Sequence, residues 1–350
     1  MSRAIRIAPV LVALLACACI PAAARADDTL TIVTGSSPTA FFDVLSNVAA
    51  RAGFYKDEHL TVNEQYTSGP AVGAQLVASG KGDICSISIE PIILGYAKGL
   101  YLTPFFSRDP RDEWVIAVLD DSPIRRLEDF KDTSIGEVSV GSTGERNANS
   151  MLSGAGLKKG DYAYIPIGVG AAAIQALTTK KVAGAAFPYP ELAAYEVQAH
   201  LKFRYFWNPL LYGIGTTVYA ATPATIRDKA DQLRRFARAN VKAAILIREN
   251  PQLAARYNVE EANITGDKNA VADWAALLQL AGGQLPGIDP LNKRIGAISP
   301  LGMEVFRNFL AADTPSAQAA PLSALVTNQF IAYANDFDRR AFIAHVRQMR

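Results

Sequence analysis

Short apolar strands alternate with helical patterns along the first third of the chain. The β-branched run at 30–34 is followed by a Gly-Ser-Ser-Pro turn and by an apolar-periodic segment over 41–52. Strand patterns recur at 60–66 and 83–88, and a helical pattern follows each of them. Strands that alternate with helices of this length form parallel sheets with right-handed crossovers. The pattern therefore predicts an α/β fold.

A second run of the same kind begins near residue 115. Its predicted strands are 115–119, 134–140, 162–167 and 182–187, and a helical pattern covers 171–179. An apolar strand at 216–221 then leads to a long amphipathic helix over 226–247, after which the pattern is helical. We expect crossings between two lobes near residues 118 and 217. The predicted domains are a first lobe of 27–118 plus 218–350 and a second lobe of 119–217.

The first 26 residues have the pattern of a secretory signal peptide. Arg3 and Arg6 precede an apolar run over 7–20, and Ala24-Arg25-Ala26 supplies a small-x-small cleavage site. The run is shorter than the roughly 20 residues that a membrane-spanning helix needs. We therefore expect cleavage after Ala26 and a periplasmic protein. The alternative is a lipid anchor at Cys17, because the residues before it loosely resemble a lipobox.

Net charge and cysteine content limit which partners and which covalent cross-links are expected. The chain has 35 Lys and Arg against 33 Asp and Glu, and removal of 1–26 takes away three Arg and no acid, which leaves a net charge of −1. This balance favours neither nucleic acid nor an anionic membrane as a partner. Cys85 is the single cysteine outside residues 1–26. A disulfide framework is therefore excluded, and a buried, inert thiol is expected.

Several predicted strands are followed by a Ser, Thr or Glu with a Pro or Gly beside it. In an open α/β sheet such turns lie at the carboxyl ends of the strands, where ligands bind. The free N–H groups of helix starts, with hydroxyls beside them, suit a small anion or polar group. Each turn alone is better explained as a helix cap, and Ser142 with Glu145 has the pattern of a capping box; only the set of turns within two lobes favours a binding site.

Four segments resemble the substrate-binding proteins of the nitrate, taurine, alkanesulfonate and thiamine-pyrimidine ABC importers. They are residues 52–58, 76–83, 121–124 with 127–130, and 173–177 followed by 182–185. Their order and spacing carry the resemblance, which covers essentially all of 29–345. It implies a two-lobed type II periplasmic-binding-protein fold, each lobe a mostly parallel sheet flanked by helices, with a ligand cleft between the lobes. It also implies a monomer that delivers a small molecule to a membrane permease, without a cofactor.

The resemblance also implies which loops contact the ligand: 36–40, 68–71, 86–90, 142–145 and 188–191. From these loops and the aromatic residues near them, the predicted ligand-binding residues are Ser36, Ser37, Thr39, Phe41, Ser68, Gly69, Ser88, Glu90, Ser142, Thr143, Glu145, Tyr189 and Glu191. Two departures from the family are Cys85, where a small residue is usual, and the absence of the cysteine-rich motif of the yeast relatives that make pyrimidine.

The ligand itself is less defined. Phe41, Phe42, Tyr189 and Trp207 offer faces that suit a flat ring, although such residues more often belong to a core. Two glutamates facing the cleft would favour an amine or a ring N–H donor over a simple anion, whereas each glutamate is equally a cap, a surface charge or a lobe-to-lobe contact. Arg146 is the basic residue that we predict to pair with an anionic ligand. The expected ligand is a small organic molecule, such as a sulfonate, a pyrimidine or another heteroaromatic compound.

Two other classes of function compete with a transport role. A secreted enzyme is poorly supported, because His59, His200 and His345 lack metal-ligand spacing and no Gly-x-Ser-x-Gly elbow is present. A sensor that uses the same fold to report a ligand to a membrane receptor remains open, since a receptor and a permease would contact the same closed surface. The prediction is therefore a binding protein with no catalytic or metal-ligating residues.

Overall fold

The computed structural model describes residues 27–35, 44–109, 112–140, 142–211, 214–264, 269–280 and 294–350. The predicted signal peptide with Cys17, and the predicted ligand residues Ser36, Ser37, Thr39 and Phe41, lie outside the described residues. Within those ranges, no helix is long and apolar enough to cross a membrane.

The strands form two five-stranded sheets. Their bounds are β1 (Asp28–Thr34), β2 (Leu60–Tyr66), β3 (Ile84–Ser88), β4 (Thr103–Ser107), β5 (Trp114–Leu119), β6 (Thr133–Glu137), β7 (Tyr162–Pro166), β8 (Gly184–Pro188), β9 (Phe203–Trp207) and β10 (Thr217–Ala221). The first sheet has the order β2-β1-β3-β10-β4 and the second has the order β7-β6-β8-β5-β9. In each sheet one strand, β10 or β5, runs antiparallel to both of its neighbours, so the remaining four strands are parallel.

Helices flank both sheets. They are α1 (Val44–Arg51), α2 (Phe54–Asp57), α3 (Pro70–Ala78), α4 (Glu90–Tyr96), α5 (Thr143–Gly154), α6 (Ala171–Thr178), α7 (Tyr189–Gln198), α8 (Pro223–Asp228), α9 (Ala230–Glu249), α10 (Pro251–Glu261), α11 (Ala270–Leu280), α12 (Pro300–Asp313), α13 (Leu322–Leu325), α14 (Ile331–Ala334) and α15 (Arg339–Val346). Short 3-10 helices lie at Leu127–Phe130 and Pro315–Ala319. The two-lobed α/β fold that the sequence predicted is confirmed.

Each sheet is buried on both faces, which explains its largely apolar strands. One face of the first sheet packs on α9, where the Tyr219 ring contacts the Phe236 ring and Ile32 belongs to the same apolar cluster. The other face packs on α3, α4 and α12, in a cluster that includes Val33 and Cys85. The second sheet packs on α6 and α7 on one face and on α5 on the other. We call each sheet with its packed helices a lobe.

The chain passes between the lobes twice. β4 belongs to the first sheet and β5 to the second, so the first passage is 108–113; β9 and β10 place the second passage at 208–216. The first predicted crossing, at 118, falls inside β5, which pairs with β8 and β9. The predicted lobe boundaries stay a prediction. The lobes also touch through α7 and α11.

Candidate functional site

A cavity of about 730 Å³ lies mainly on the first lobe, between α3 and α4, and reaches the start of α5 in the second lobe. Ser88 and Glu90, at the carboxyl end of β3 and the start of α4, line it from the first lobe. Ser142 and Thr143, at the start of α5, line it from the second lobe. Four of the predicted ligand residues are therefore brought together, at the sheet edges where the strand ends of an open α/β sheet bind ligands.

Ser142 and Glu145 shape the start of α5. The Ser142 hydroxyl accepts a hydrogen bond from the Glu145 backbone N–H at 3.3 Å, as the capping pattern predicted. Beneath this turn, the buried Glu137 at the end of β6 has a raised pKa, first because of burial and then because of the Glu145 charge. Glu145 is thus one of two neighbouring carboxyl groups, and its charge acts on Glu137; it does not itself line the cavity.

The Glu90 carboxylate is occupied by protein donors from the other lobe. The Thr143 hydroxyl donates to its Oε2 at 2.7 Å, and a guanidinium nitrogen of Arg146 lies 3.2 Å from its Oε1. Arg146 also lies 3.7 Å from the Asp313 carboxylate on α12. Arg146 was predicted from the sequence to pair with an anionic ligand. In the structure it is instead paired with two acidic side chains of the first lobe.

Tyr189 and Glu191, at the start of α7, make contacts within the second lobe. The Tyr189 ring lies 5.1 Å from that of Tyr205 and 5.3 Å from that of Trp207, measured between centroids. The Glu191 carboxylate accepts a hydrogen bond from the Tyr195 hydroxyl at 2.8 Å, one turn along the same helix. Both residues stay predicted ligand contacts, but they also stabilise their own lobe.

Ser68 and Gly69 precede α3 and do not line the cavity themselves, although the next two residues, Pro70 and Ala71, do. The end of β1 lies against this turn. A side chain at Gly35 would place its Cβ 2.6 Å from the Pro70 Cα, so the two turns need glycine at position 35 to approach each other.

The first passage between the lobes carries charged side chains that sequence reasoning missed. Arg108, Asp112 and Glu113 are at most 7% exposed, and Asp109 is partly buried. Arg108 donates to the Ser86 hydroxyl, and its guanidinium lies 5.1 Å from the centre of the Tyr219 ring. Burial raises the pKa of Asp109, Asp112 and Glu113, and the mutual repulsion of these carboxyl groups raises the pKa of Asp112 and Glu113 further.

Asp112 joins the two passages and the second lobe through a buried network. Its carboxylate accepts hydrogen bonds from the Asn147 side-chain amide of α5 at 2.5 Å and from the Thr216 hydroxyl of the second passage at 3.2 Å. Asn147 in turn accepts from the Asn208 amide at 2.9 Å. A buried polar network of this kind fixes the geometry of the groups that it connects.

The described residues contain no cluster of three His, Cys, Asp or Glu side chains that is placed to hold a metal ion. Cys85, on β3, is fully buried, and burial raises the pKa of its thiol to about 12. The arrangement therefore provides hydroxyl groups and helix starts around a cavity, with the Glu90 carboxylate paired within the protein.

Comparison with protein families matches residues 46–254 to the family described as NMT1/THI5 like. No curated protein matches the chain. Among solved structures, a protein from Bordetella bronchiseptica RB50 has a TM-score of 0.66 at 21% identity, with 88% of this chain and 97% of that chain covered.

Two sulfonate-binding proteins named SsuA are also similar. The periplasmic aliphatic sulphonate binding protein from Escherichia coli has a TM-score of 0.61 at 16% identity, covering 82% of this chain and 87% of that chain. The alkanesulfonate-binding protein from Xanthomonas axonopodis pv. citri, bound to MOPS, has a TM-score of 0.58 at 14% identity, covering 87% and 97% respectively. At these identities the likeness shows the shared fold.

Proposed function

The chain belongs to the NMT1/THI5-like family, and on that premise we propose that it is the extracytoplasmic substrate-binding component of an ABC importer. The observation that carries the proposal is the cavity at the boundary of the lobes, which the first lobe forms for the most part, with Ser88 in its lining, and which Ser142 and Thr143 of the second lobe complete. A ligand held from both sides stabilises the arrangement in which the lobes are together, because it binds that arrangement more tightly than the separated one.

The two passages between the lobes, 108–113 and 208–216, are the proposed hinge of this clamp. The proposed partner is a membrane permease that receives the ligand from the closed form. The signal pattern of residues 1–26 supports a periplasmic location, and no cofactor takes part. The SsuA structures support a similar role by their fold and by their names.

The charged side chains that line the cavity help to define which class of ligand it binds. Among the described residues that line it, Glu90 is the acidic one and Lys98 the basic one. Because the Glu90 carboxylate is already paired with Arg146 and bonded by Thr143, its charge is largely balanced within the protein and attracts an amine less strongly. Hydroxyl and N–H donors around the cavity suit a ligand with hydrogen-bond acceptors. We therefore propose a small organic solute such as a sulfonate, a pyrimidine or another heteroaromatic compound.

A thermal-shift screen of the purified protein tests this proposal. The panel contains sulfonates, nitrate, pyrimidines, purines, aromatic acids and amines. Binding of one class raises the free energy of unfolding by about 2.7 kcal/mol when the ligand is present at about 100 times its Kd. Mass spectrometry should recover that ligand unchanged, and a chemically altered ligand would instead indicate an enzyme.

The site is tested with Ser88→Ala and with Ser153→Ala as the matched control. Ser88 lines the cavity, whereas Ser153 is exposed near the end of α5. Loss of one hydroxyl contact should weaken ligand binding by about 1 kcal/mol, and the control should bind as the parent does. Equal affinities of the Ser88 variant and the parent would place the ligand elsewhere.

A further inference from the structure

Glu90 and Arg146 belong to different lobes. Glu90 is the first residue of α4, whose Ile92 and Ile93 are buried on the first sheet. Arg146 lies in the first turns of α5, whose Met151 and Leu152 are buried on the second sheet. Because each side chain is fixed to its own lobe by an apolar helix face, the contact between them exists only while the lobes are close together.

The contact is well formed on the Glu90 side. Both carboxylate oxygens are used, one by Thr143 at 2.7 Å and the other by Arg146 at 3.2 Å. The Glu90 and Arg146 side chains are 13% and 22% exposed. Because both side chains are largely shielded from water, the Thr143 hydrogen bond and the Arg146 ion pair should be stronger than exposed contacts of the same kind.

Arg146 is held from a second direction as well. The Asp313 carboxylate, at the end of α12, lies 3.7 Å from the other terminal nitrogen of its guanidinium. α12 packs on the same face of the first sheet as α4, through Met303 and Phe306. The guanidinium of the second lobe is therefore placed between two carboxylates of the first lobe, of which Glu90 is the more shielded from water and Asp313 is largely exposed.

We propose that Glu90 and Arg146 are positioning residues that form a latch between the lobes and favour their close arrangement. The latch rests on the proposed clamp function and assigns Glu90 to lobe closure in place of ligand contact. Thr143 connects the latch to the ligand cavity, since it lines that cavity and donates to Glu90. A ligand that contacts Thr143 would thus bind to the arrangement that the latch already favours.

Distance measurement by double electron–electron resonance tests the latch without a ligand. Spin labels are attached at Lys81→Cys and Lys159→Cys, two exposed positions on the first and second lobe. Cys17 and Cys19 are replaced by Ser, and Cys85 is fully buried. Distances are compared among the parent, Glu90→Gln, Arg146→Gln and the double variant, with thermal melting as a check of folding. Thr143→Val removes the second bond to Glu90 as an independent variant.

Glu58→Gln is the matched control. Glu58 forms a similarly buried pair with Lys242 at 2.9 Å, but α2 and α9 both belong to the first lobe. We expect Glu90→Gln and Arg146→Gln to shift the distance distribution to longer values, and the double variant to add little to either single change, because the two residues act through one contact. The control should keep the parent distribution.

Unchanged distances in both single variants would overturn the latch, as would a shift of the same size in the Glu58 control. Additive effects of the two changes would also overturn it, since they would mean that the residues act independently. A ligand screen without any hit would count against the proposed function but would not change the distances between the labels. The failure of the proposed function and the failure of the latch can therefore be distinguished.

Discussion

At the scale of single residues, Cys85 shows how position decides reactivity. It is fully buried on β3, and burial raises the pKa of its thiol to about 12, because the thiolate would lose its hydration. The thiolate is the nucleophile, so the folded protein should be inert to thiol reagents at this position. The buried thiol that the sequence predicted is confirmed.

Thiol titration checks that reactivity, in a variant with Cys17 and Cys19 replaced by Ser. The folded protein should show no rapid reaction at neutral pH, and denaturant should release the single remaining thiol. Rapid labelling of the folded protein would show that the core around the central strand β3 opens to solvent.

Some residues of the candidate site could be predicted from the sequence, and others could not. The Ser142 cap could be predicted because its hydrogen bond lies within one turn and depends only on local chain geometry. Arg108, Asp109, Asp112 and Glu113 could not, because a run of charged residues is typical of an exposed loop. Their burial arises where the two passages between the lobes meet, which no local pattern encodes.

At the scale of elements, α5 lies close against the second sheet at its start. A Cβ at Gly144 would come within 2.4 Å of the Ala186 carbonyl oxygen and 2.8 Å of the Trp114 ring, whereas Gly154 at the other end of α5 has nothing within 4 Å. The start of α5 therefore approaches β8 at a distance that only glycine permits.

The substitutions Gly144→Ala and Gly154→Ala should have opposite effects on the free energy of unfolding. Gly144→Ala should destabilise the protein by about 1–3 kcal/mol, because backbone and ring must move apart. Gly154→Ala should stabilise it by about 0.5–1 kcal/mol, since Ala favours the helix. Chemical denaturation measures both, and a neutral Gly144→Ala would mean that α5 moves freely on the sheet.

Most helices and strands could be predicted from the hydrophobic periodicity of the sequence, but the strands β4 and β9 were missed. β4 contains Pro104, which argues against a central strand, and in fact it lies at the edge of the first sheet. The helical pattern over 226–247 corresponds to α8 and α9, which are separated at Lys229. Such boundaries depend on tertiary packing more than on the pattern.

At the scale of the whole molecule, Asp112 connects the hinge passages and carries a pH dependence. Its folded pKa is raised to about 7, chiefly by burial, against about 3.9 in an unfolded chain. Between these values the folded protein holds a proton that the unfolded chain has lost, so the free energy of unfolding falls as pH rises through this interval. The stabilising contribution is complete at low pH and is lost above about pH 7.

Asp112→Asn should remove this contribution, because an amide does not ionise and can still bond to Asn147 and Thr216. We expect the stability of the variant relative to the parent to increase by about 2 kcal/mol from about pH 5 to about pH 8. Thermal melting across that range, with the exposed Asp336→Asn as control, measures it. A parallel pH profile for parent and variant would show that Asp112 does not titrate in this interval.

The position of β10 in the first sheet sets an order of assembly. β10 separates β3 from β4 and pairs with both, yet it is made only after all the strands of the second sheet. During synthesis the first lobe therefore remains an open sheet with two unpaired strand edges until residue 221 and α9 have emerged. Contacts between segments so distant in sequence form slowly. The second lobe, whose strands are contiguous in the chain, can fold first and serve as the template on which the first is completed.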